Sequence, residues 1–330
     1  MATGVSGESG QPGEGPQLPR AQPLQQDVQQ PSERRRERFI VALLDRCSAL
    51  VAAGQRPVLG LNGPVGAGKS TLSRLLRQRA QDRGLALAIA SIDDAYLPWQ
   101  QRLEAMAANP FGVNRVPPGS HDPGLLASAI AAWRAEPAGL APLELPRFDK
   151  TLRQGLGDRC DPWHGPADAL LLEGWLVGYR PLGPGLPEAL ATGDALAGLT
   201  PEERRALPRW DQALLPYQPL WDALDGLGLL WPCRWELPRR WRFQAEARQR
   251  RGGGGWMQPK ALEALIRASL ASLPPLLYGR ALLGQADRVM LLDGRRRCLW
   301  EGSGAEALGQ RWAQMGARAQ ASSPSSSATG

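Results

Sequence analysis

The sequence predicts an α/β fold with three layers, in which a mostly parallel sheet carries helices on both faces. Two observations predict it: short apolar segments alternate with segments of helical periodicity, and a glycine-rich turn joins the first predicted strand to a helix. Strands that alternate with helices favour parallel pairing, because each helix returns the chain to the starting edge of the sheet. The four predicted strands are residues 57–62, 85–92, 167–172 and 289–292.

Two predicted helices flank the first strand. Residues 38–52 have apolar side chains at helical spacing, and this helix ends at Gly54. Residues 70–83 follow the glycine-rich turn, place three leucines on one face, and stop at Gly84. The order strand, glycine-rich turn, helix is therefore predicted at the start of the sheet.

The composition sets limits on the class of protein. The chain has 330 residues, of which 43% are hydrophobic and 22% are charged, so it can bury a sizeable core and is not wholly disordered. It contains no run of about 18 apolar residues, which excludes a membrane-spanning helix. Its four cysteines are scattered without a CxxC pair. This spacing argues against a zinc site or a disulfide framework and fits a reducing cytoplasm, where we expect the protein.

The net charge of +7 comes almost entirely from arginine. Arginine can indicate nucleic-acid binding, and it equally suits a phosphorylated or carboxylated small molecule, because the guanidinium fork matches both anions. Many of these arginines are also explained by a solvated surface. We expect a small-molecule substrate, with neither a nucleic-acid nor a membrane partner.

Composition also divides the chain. Residues 1–36 are rich in Gly, Pro, Gln, Ser and Glu, and we predict a disordered tail there. This segment lacks a basic start followed by an apolar run, so it does not resemble a secretory signal, and its acidic residues make it a poor transit peptide. Residues 37–312 are predicted to form one folded domain, and residues 313–330 a flexible C-terminal tail.

The strongest motif is the glycine-rich turn at residues 63–70, which matches G-x-x-x-x-G-K-[ST] in full. Its glycines let successive backbone N–H groups point into one concavity, and the following helix adds its positive end there. Lys69 can reach the β- and γ-phosphates, and the Ser70 hydroxyl can hold Mg²⁺. The motif predicts a P-loop NTPase-type fold that binds a nucleoside triphosphate and Mg²⁺, and by itself it does not separate a kinase from a GTPase, an ATPase motor or a transporter subunit. The predicted nucleotide-binding residues are Gly63, Pro64, Val65, Gly66, Ala67, Gly68, Lys69, Ser70 and Thr71.

Carboxylates follow two of the predicted strands. Asp93 and Asp94 lie just past the second strand, and Glu173 ends the third. The carboxyl ends of parallel strands form the ligand crevice, so one aspartate can accept the proton of an acceptor hydroxyl. Helix capping or turn formation is the alternative explanation for this pair, and position relative to the P-loop favours a catalytic role for at least one of them. Glu173 stands where a P-loop protein usually carries the acid that organises Mg²⁺.

The middle of the chain is dense in charge and glycine. Arg147, Lys150 and Arg159 lie there, and His121 lies upstream in the segment Gly-Ser-His-Asp. These side chains could hold an anionic acceptor, or they could be ordinary surface charge on flexible loops. The sequence alone does not say which arginines point inward.

The motifs together resemble the plant and cyanobacterial type of D-glycerate 3-kinase. These are P-loop kinases related to the phosphoribulokinase, uridine kinase and pantothenate kinase group. The resemblance covers about residues 40–300. The segments that carry it, in this order, are Gly63–Ser70, Ser91–Leu97, Gly119–Asp122, Pro146–Lys150, Gly155–Arg159, Leu172–Trp175, Tyr217–Asp222 and Trp241–Glu246.

The resemblance implies transfer of a phosphoryl group from ATP to the 3-hydroxyl of D-glycerate, giving 3-phosphoglycerate at the end of the photorespiratory glycolate route. An aspartate after the second strand is the base in related kinases, and it matches Asp93 better than Asp94. An arginine-bearing segment that serves as a lid matches the region of Arg239 and Arg242. We therefore predict Asp93, Lys69 and Arg242 as catalytic residues. The predicted substrate-binding residues are His121, Arg147, Lys150 and Arg159, and the predicted metal ligands are Ser70 and Glu173.

The chain departs from the family pattern at three places. Ala95 follows Asp94 where an aromatic residue is expected, residues 183–209 look rearranged, and a run of four glycines replaces a more mixed loop at residues 252–255. Two alternatives therefore stay open. One is another kinase of the same group, acting on pantothenate, a nucleoside or a sugar, and the other is a P-loop protein that binds a nucleotide to switch a partner.

Overall fold

The computed structural model describes residues 1, 26–136, 142–191, 196–253, 257–310 and 312–313. The strands of this part of the chain are β1 (Val58–Asn62), β2 (Leu87–Ser91), β3 (Leu143–Asp149), β4 (Asp158–Gly165), β5 (Ala169–Gly174), β6 (Gly226–Pro232), β7 (Arg288–Leu292) and β8 (Cys298–Gly302). Six of them form a central sheet in the order β2-β5-β1-β6-β7-β8. Its strands are parallel except β8, which pairs antiparallel with β7.

Twelve α-helical segments accompany the strands in the described residues. They are α1 (Gln26–Ala52), α2 (Lys69–Gln81), α3 (Trp99–Ala105), α4 (Pro123–Ala135), α5 (Leu152–Gly155), α6 (Leu186–Ala191), α7 (Pro201–Gln212), α8 (Gln218–Asp222), α9 (Leu237–Arg251), α10 (Pro259–Ala271), α11 (Pro275–Gln285) and α12 (Gly304–Leu308). Short 3₁₀ turns occur at Ile92–Ala95, Gly183–Gly185 and Leu215–Tyr217.

The sheet has a buried apolar cluster on each face, which confirms the predicted three-layer α/β fold. Alternate side chains of β1 and β5 enter opposite clusters, as the two-residue period of a strand requires. Helices α1, α2 and α9 cover one face. Helices α4, α7, α8, α10 and α11 cover the other. The P-loop therefore lies at the carboxyl edge of the sheet, on the side of α2 and α9.

The predicted strands correspond to β1, β2, β5 and β7, within two residues at each end. The sequence analysis missed β6 and β8, and it missed that β3 and β4 form a separate antiparallel pair. This hairpin carries the charged middle segment of the chain. Its connection includes α5, a single turn in which Arg153 and Gln154 have left-handed backbone conformations with φ of 52° and 59°.

The predicted boundary of the N-terminal tail is wrong for residues 26–36, which are helical and continuous with the helix predicted from Arg38. This polar stretch is held by β8, because the Cys298 N–H donates to Ser32 Oγ at 2.8 Å and Arg35 donates to the Cys298 carbonyl at 3.4 Å. Residues 2–25 of the predicted tail lie outside the described residues, as do residues 314–330 of the predicted C-terminal tail. None of the helices in the described ranges has the length and apolar character that crossing a bilayer requires.

Candidate active site

The P-loop connects β1 to α2 at the carboxyl edge of the sheet. Gly66 and Gly68 have positive φ angles of 77° and 99°, so the loop turns where a side chain would strain the backbone. A Cβ on Gly66 would also lie 2.6 Å from the backbone nitrogen of Arg242, because α9 packs directly on the loop. The loop is therefore held between the sheet and α9.

A cleft of about 710 Å³ opens over the P-loop. Residues Val65, Gly66, Ala67, Gly68, Lys69, Ser70 and Thr71 line it, which includes seven of the nine predicted nucleotide-binding residues. The remaining two, Gly63 and Pro64, do not line the cleft but hold the lysine of the loop. Lys69 Nζ donates to the carbonyl of Gly63 at 2.9 Å and to that of Pro64 at 3.4 Å. The volume falls in the range of small-molecule sites, about 300 to 1,000 Å³.

Lys69 and Glu173 both line the cleft and influence each other electrostatically. Burial lowers the pKa of the Lys69 ammonium below its usual value, against the opposing charges of Glu173 and Asp93. Burial likewise raises the pKa of Glu173, and Lys69 opposes that shift. Both groups have thus lost part of their hydration. Phosphate oxygens could replace it for the Lys69 ammonium group, and a cation could replace it for the Glu173 carboxylate.

Ser70 and Glu173 fit the magnesium ion that this class of loop uses. Ser70 Oγ lies 3.5 Å from Glu173 Oε1, and Glu173 Oε2 is buried without a hydrogen-bond partner. Hydroxyl and carboxylate oxygens are hard ligands of the kind Mg²⁺ prefers. Within the described residues, no three His, Cys, Asp or Glu side chains cluster as a metal site. In nucleotide sites Mg²⁺ is usually held by one or two protein oxygens together with phosphates and water.

Asp93 lies on the opposite wall of the cleft, on the 3₁₀ turn after β2. Lys150, at the end of β3, donates to Asp93 Oδ2 at 2.7 Å, and His121 Nε2 lies 3.8 Å from Asp93 Oδ1. Burial favours the neutral acid, but the charge of Lys150 and the neighbouring His121 outweigh it and hold the pKa of Asp93 well below its usual range. Asp93 is therefore an ionised carboxylate that faces the P-loop cleft.

Asp94 turns away from the cleft. Its Oδ2 accepts from the Ser91 N–H at 2.9 Å, while Ser91 Oγ accepts from the Asp93 N–H, so the pair closes a capping box. Burial raises the pKa of Asp94. The Arg147 guanidinium lies 3.9 Å from it, in a second cavity between α2, β2 and the β3–β4 hairpin. The structure thus points the two adjacent aspartates into different cavities.

His121 is enclosed by aromatic side chains beside Asp93. Its ring stacks on Tyr96 with centroids 4.3 Å apart, and Nδ1 lies 2.9 Å from the hydroxyl of Tyr217. The side chain is fully buried, and Nε2 has no hydrogen-bond partner. Burial lowers the pKa of His121, so the imidazole is neutral near pH 7.

The structure does not bring all four predicted substrate-binding residues together. His121 and Lys150 meet at Asp93, but Arg159 donates to the Tyr96 carbonyl and to Asp122 Oδ2, each at 3.0 Å, and does not line the cleft. Arg159 therefore ties the hairpin to the loops after β2. Arg147 is half exposed beside Asp94 rather than Asp93.

The predicted lid arginines also differ from each other. Arg242 lines the cleft and pairs with Glu246 one turn along α9, with Nη1 and Oε2 2.9 Å apart. Arg239 points instead to Glu263 of α10, at 2.8 Å. The movement of this segment as a lid stays a prediction, and residues 254–256 of its glycine run lie outside the described residues.

Arg296 is a contact of the P-loop that the sequence analysis missed. Its Nε donates to the carbonyl of Gly66 at 2.7 Å, and Nη2 donates to the carbonyl of Trp241 at 3.0 Å. The residue has a left-handed backbone with φ of 63° in the β7–β8 turn. The run of three arginines that follows the fourth predicted strand after two intervening residues is the signal that could have pointed to it.

No model of a protein family matches the chain. A segment of 249 residues, 72% of this chain, is 28% identical to the chloroplastic D-glycerate 3-kinase of Arabidopsis thaliana, and it spans about half of that protein, 52%. An uncharacterized kinase of Schizosaccharomyces pombe is 28% identical over 202 residues, 58% of this chain and 71% of that protein.

A similar protein is also found among solved structures. The D-glycerate 3-kinase of Cryptococcus neoformans superposes with a TM-score of 0.68 and 25% identity, over 84% of this chain and 99% of that one. The likeness therefore extends over nearly the whole of that enzyme. The comparisons confirm the resemblance that the motifs indicate: this chain has the P-loop kinase fold, and it is similar to D-glycerate 3-kinases in sequence and in structure.

Proposed function

We propose that the protein is a kinase that transfers the γ-phosphoryl group of ATP to the 3-hydroxyl of D-glycerate. The observation that carries the proposal is the arrangement of Asp93 and Lys150 on one wall of the P-loop cleft, with the buried His121 beside Asp93. A nucleotide switch needs only the phosphate cradle and has no use for a half-buried carboxylate with a cation and a histidine beside it. The likeness to D-glycerate 3-kinases supports the choice of acceptor.

Each residue of this wall has a distinct task in the proposed reaction. Asp93 accepts a hydrogen bond from the acceptor hydroxyl and aims its oxygen at the γ-phosphorus. A bond forms between that oxygen and phosphorus, the bond to the oxygen bridging the β- and γ-phosphates breaks, and ADP leaves with the electron pair. The hydroxyl proton passes to Asp93. The Lys150 ammonium group also donates a hydrogen bond to the carboxylate of glycerate, and this contact holds the acceptor in position.

The opposite wall stabilises charge on the phosphates. Lys69 donates to the β- and γ-phosphate oxygens once the nucleotide displaces the loop carbonyls from its ammonium group. Arg242 lies where it can neutralise charge on the transferring group. Ser70 and Glu173 would hold Mg²⁺, which supplies charge neutralisation and orients the phosphates when bound.

The proposal includes two features that rest on the resemblance and on composition. The source of D-glycerate would be the photorespiratory glycolate route, and the location would be the cytoplasm. All four cysteines are free thiols, as a reducing compartment requires.

The test is the release of ADP from ATP with and without D-glycerate, measured on the full chain. We expect turnover that depends on D-glycerate, and much poorer turnover with glycerol, which lacks the carboxylate. Lys69→Ala is the control for the nucleotide site, since removing one preorganised donor typically lowers the rate by about 10²- to 10³-fold.

The alternatives give different results in the same assay. Preference for pantothenate, a nucleoside or a sugar would keep the kinase and replace the acceptor. Slow hydrolysis that no acceptor accelerates would instead identify a nucleotide-dependent switch. Phosphorylation of glycerol as efficiently as D-glycerate would show that no carboxylate clamp exists.

A further inference from the structure

Tyr217 lies behind His121, away from the cleft. Its side chain is fully buried, and its hydroxyl lies between two groups, the Gly119 N–H at 3.1 Å and His121 Nδ1 at 2.9 Å. The Gly119 N–H can only donate, so it uses one lone pair of the hydroxyl oxygen. The hydroxyl proton then needs an acceptor, and among the described residues only His121 Nδ1 is within reach.

The neighbouring serine does not change this assignment. Ser120 Oγ lies 3.4 Å from His121 Nδ1, but its proton goes to the carbonyl of Pro117 at 2.7 Å. The donation from Gly119 and the donation of Ser120 to Pro117 therefore both indicate that the Tyr217 hydroxyl donates to His121 Nδ1. A Tyr217 hydroxyl that donates to Nδ1 leaves the imidazole proton on Nε2.

We infer that Tyr217 is a positioning residue, which holds His121 as the neutral tautomer with its proton on Nε2 and so turns a hydrogen-bond donor toward the Asp93 carboxylate. The opposite tautomer would direct a lone pair at the Asp93 carboxylate, 3.8 Å away. The role toward the acceptor rests on the proposed function, whereas the tautomer follows from the contacts of the free protein.

The Nε2–H has a specific use in this position. It has no partner within hydrogen-bond distance and faces Asp93 Oδ1 at 3.8 Å, and a buried donor without a partner is costly. This donor and Lys150 therefore bear on the Asp93 carboxylate from two sides and orient the oxygen that accepts from the acceptor hydroxyl. Tyr217 thus acts on the acceptor through His121 and Asp93, without touching the substrate.

The first experiment reads the tautomer directly from the ¹⁵N resonances of the imidazole nitrogens in the full chain. Only His121 and His164 contribute, and a His164→Gln variant assigns them. We expect His121 to show a protonated Nε2 and an unprotonated Nδ1 near neutral pH. Tyr217→Phe should move proton occupancy toward Nδ1, because Ser120 Oγ is then the nearest group for it. A protonated Nδ1 in the unaltered protein would overturn the inference.

The second experiment measures kinetics with D-glycerate, with Tyr278→Phe as the matched control. Tyr278 also loses one buried hydrogen bond, from its hydroxyl to Asp211 Oδ1 at 2.9 Å, but far from His121. We expect Tyr217→Phe to raise the KM for D-glycerate about tenfold, the equivalent of one hydrogen bond, with little change for ATP. Tyr278→Phe should lower only thermal stability.

The outcomes separate this inference from the proposed function. An unchanged tautomer and an unchanged KM in Tyr217→Phe would overturn the positioning role, as would equal KM changes in both variants. Absence of turnover with D-glycerate in the unaltered protein would contradict the proposed acceptor, and the ¹⁵N spectra would still decide whether Tyr217 fixes His121.

Discussion

The position of Asp93 suits the proposed general base, but its low pKa does not. It faces the P-loop cleft, but the charge of Lys150, 2.7 Å away, makes it a weak proton acceptor. Phosphoryl transfer passes through a loose transition state in most analyses, in which the acceptor oxygen is little bonded to phosphorus and keeps its proton until late. A weakly basic carboxylate that orients the hydroxyl suits such a reaction. In the proposed reaction Asp93 would therefore act mainly by orienting the hydroxyl, and the proton would be transferred at the end.

The two adjacent aspartates give a first test at this scale. Asp93→Asn keeps the size of the side chain but removes the carboxylate that would orient the acceptor hydroxyl and finally take its proton, so kcat with D-glycerate should fall about 10²- to 10⁴-fold. Asp94→Asn should lower kcat far less, because the new amide oxygen can still accept from the Ser91 N–H. ATP affinity, measured by titration, should hardly change in either variant. A deeper loss in Asp94→Asn would reverse the two assignments, and normal kcat in both would move the search for the base to Glu173.

The pairing with Lys150 predicts a shift in the pH profile. With Lys150 present, Asp93 stays ionised as the pH falls, until the pH drops below the usual range of a carboxyl pKa. Lys150→Met removes the opposing charge, burial then raises the pKa of Asp93, and the acid limb of kcat/KM for D-glycerate should move to higher pH. Lys260→Met, an exposed lysine on α10, is the control. Coincident acid limbs in Lys150→Met and the unaltered protein would contradict the coupling.

At the scale of elements, the P-loop and its flanking strand and helix were predictable because a local sequence dictates them. The hairpin was not, since Pro146 and the charges around it are typical of a loop. Those residues form a strand because β3 pairs with β4, and the register of this pairing shifts between Leu145 and Arg147. Lys150 reaches Asp93 through this pairing, and sequence spacing does not reveal a contact of that kind.

Strand β6 was missed for a different reason. Its sequence contains Gly226, Gly228 and Pro232, which usually indicate turns. All of its residues are buried, however, and a Cβ on Gly228 would lie 2.8 Å from Phe39 Cζ of α1. The glycine is there so that the helix can approach the sheet closely. Such a requirement depends on the packed neighbour and has no signal in the strand itself.

The contact of the P-loop with α9 predicts unequal effects of two glycine substitutions. Alanine at Gly66 or Gly68 pays a similar left-handed backbone cost, about 1 to 2 kcal/mol. At Gly66 the new methyl group also meets the backbone of α9, whereas at Gly68 the nearest atom is Arg296 Cδ at 3.8 Å. Gly66→Ala should therefore lose about 1 to 3 kcal/mol more stability, measured by denaturant unfolding without nucleotide. Equal losses of stability in the two variants would mean that α9 can move away from the loop at little cost.

At the scale of the whole molecule, the domain begins earlier than composition indicates. The first turns of α1 are too polar to be predicted as part of a core, yet they cover the outer strand β8. Arg35 donates to the backbone carbonyl of Cys298, and Arg38 Nε lies 3.2 Å from Glu301 on the same strand. Arg36 lines the P-loop cleft. A segment with the composition of a tail thus caps an otherwise open edge and extends to the nucleotide site.

This extent of the domain can be tested by comparing a chain that starts at residue 26 with one that starts at residue 37. The shorter chain loses the hydrogen bonds of Ser32 and Arg35 to β8, each worth about 1 kcal/mol, so its Tm should be lower by about 4 °C or more. Ser32→Ala in the full chain isolates one of these bonds and should lower Tm by about half as much. Loss of Arg36 should also raise the KM for ATP in the shorter chain, because a cation leaves the cleft. Identical Tm and KM values for the two chains would place the domain boundary at residue 37, where composition alone puts it.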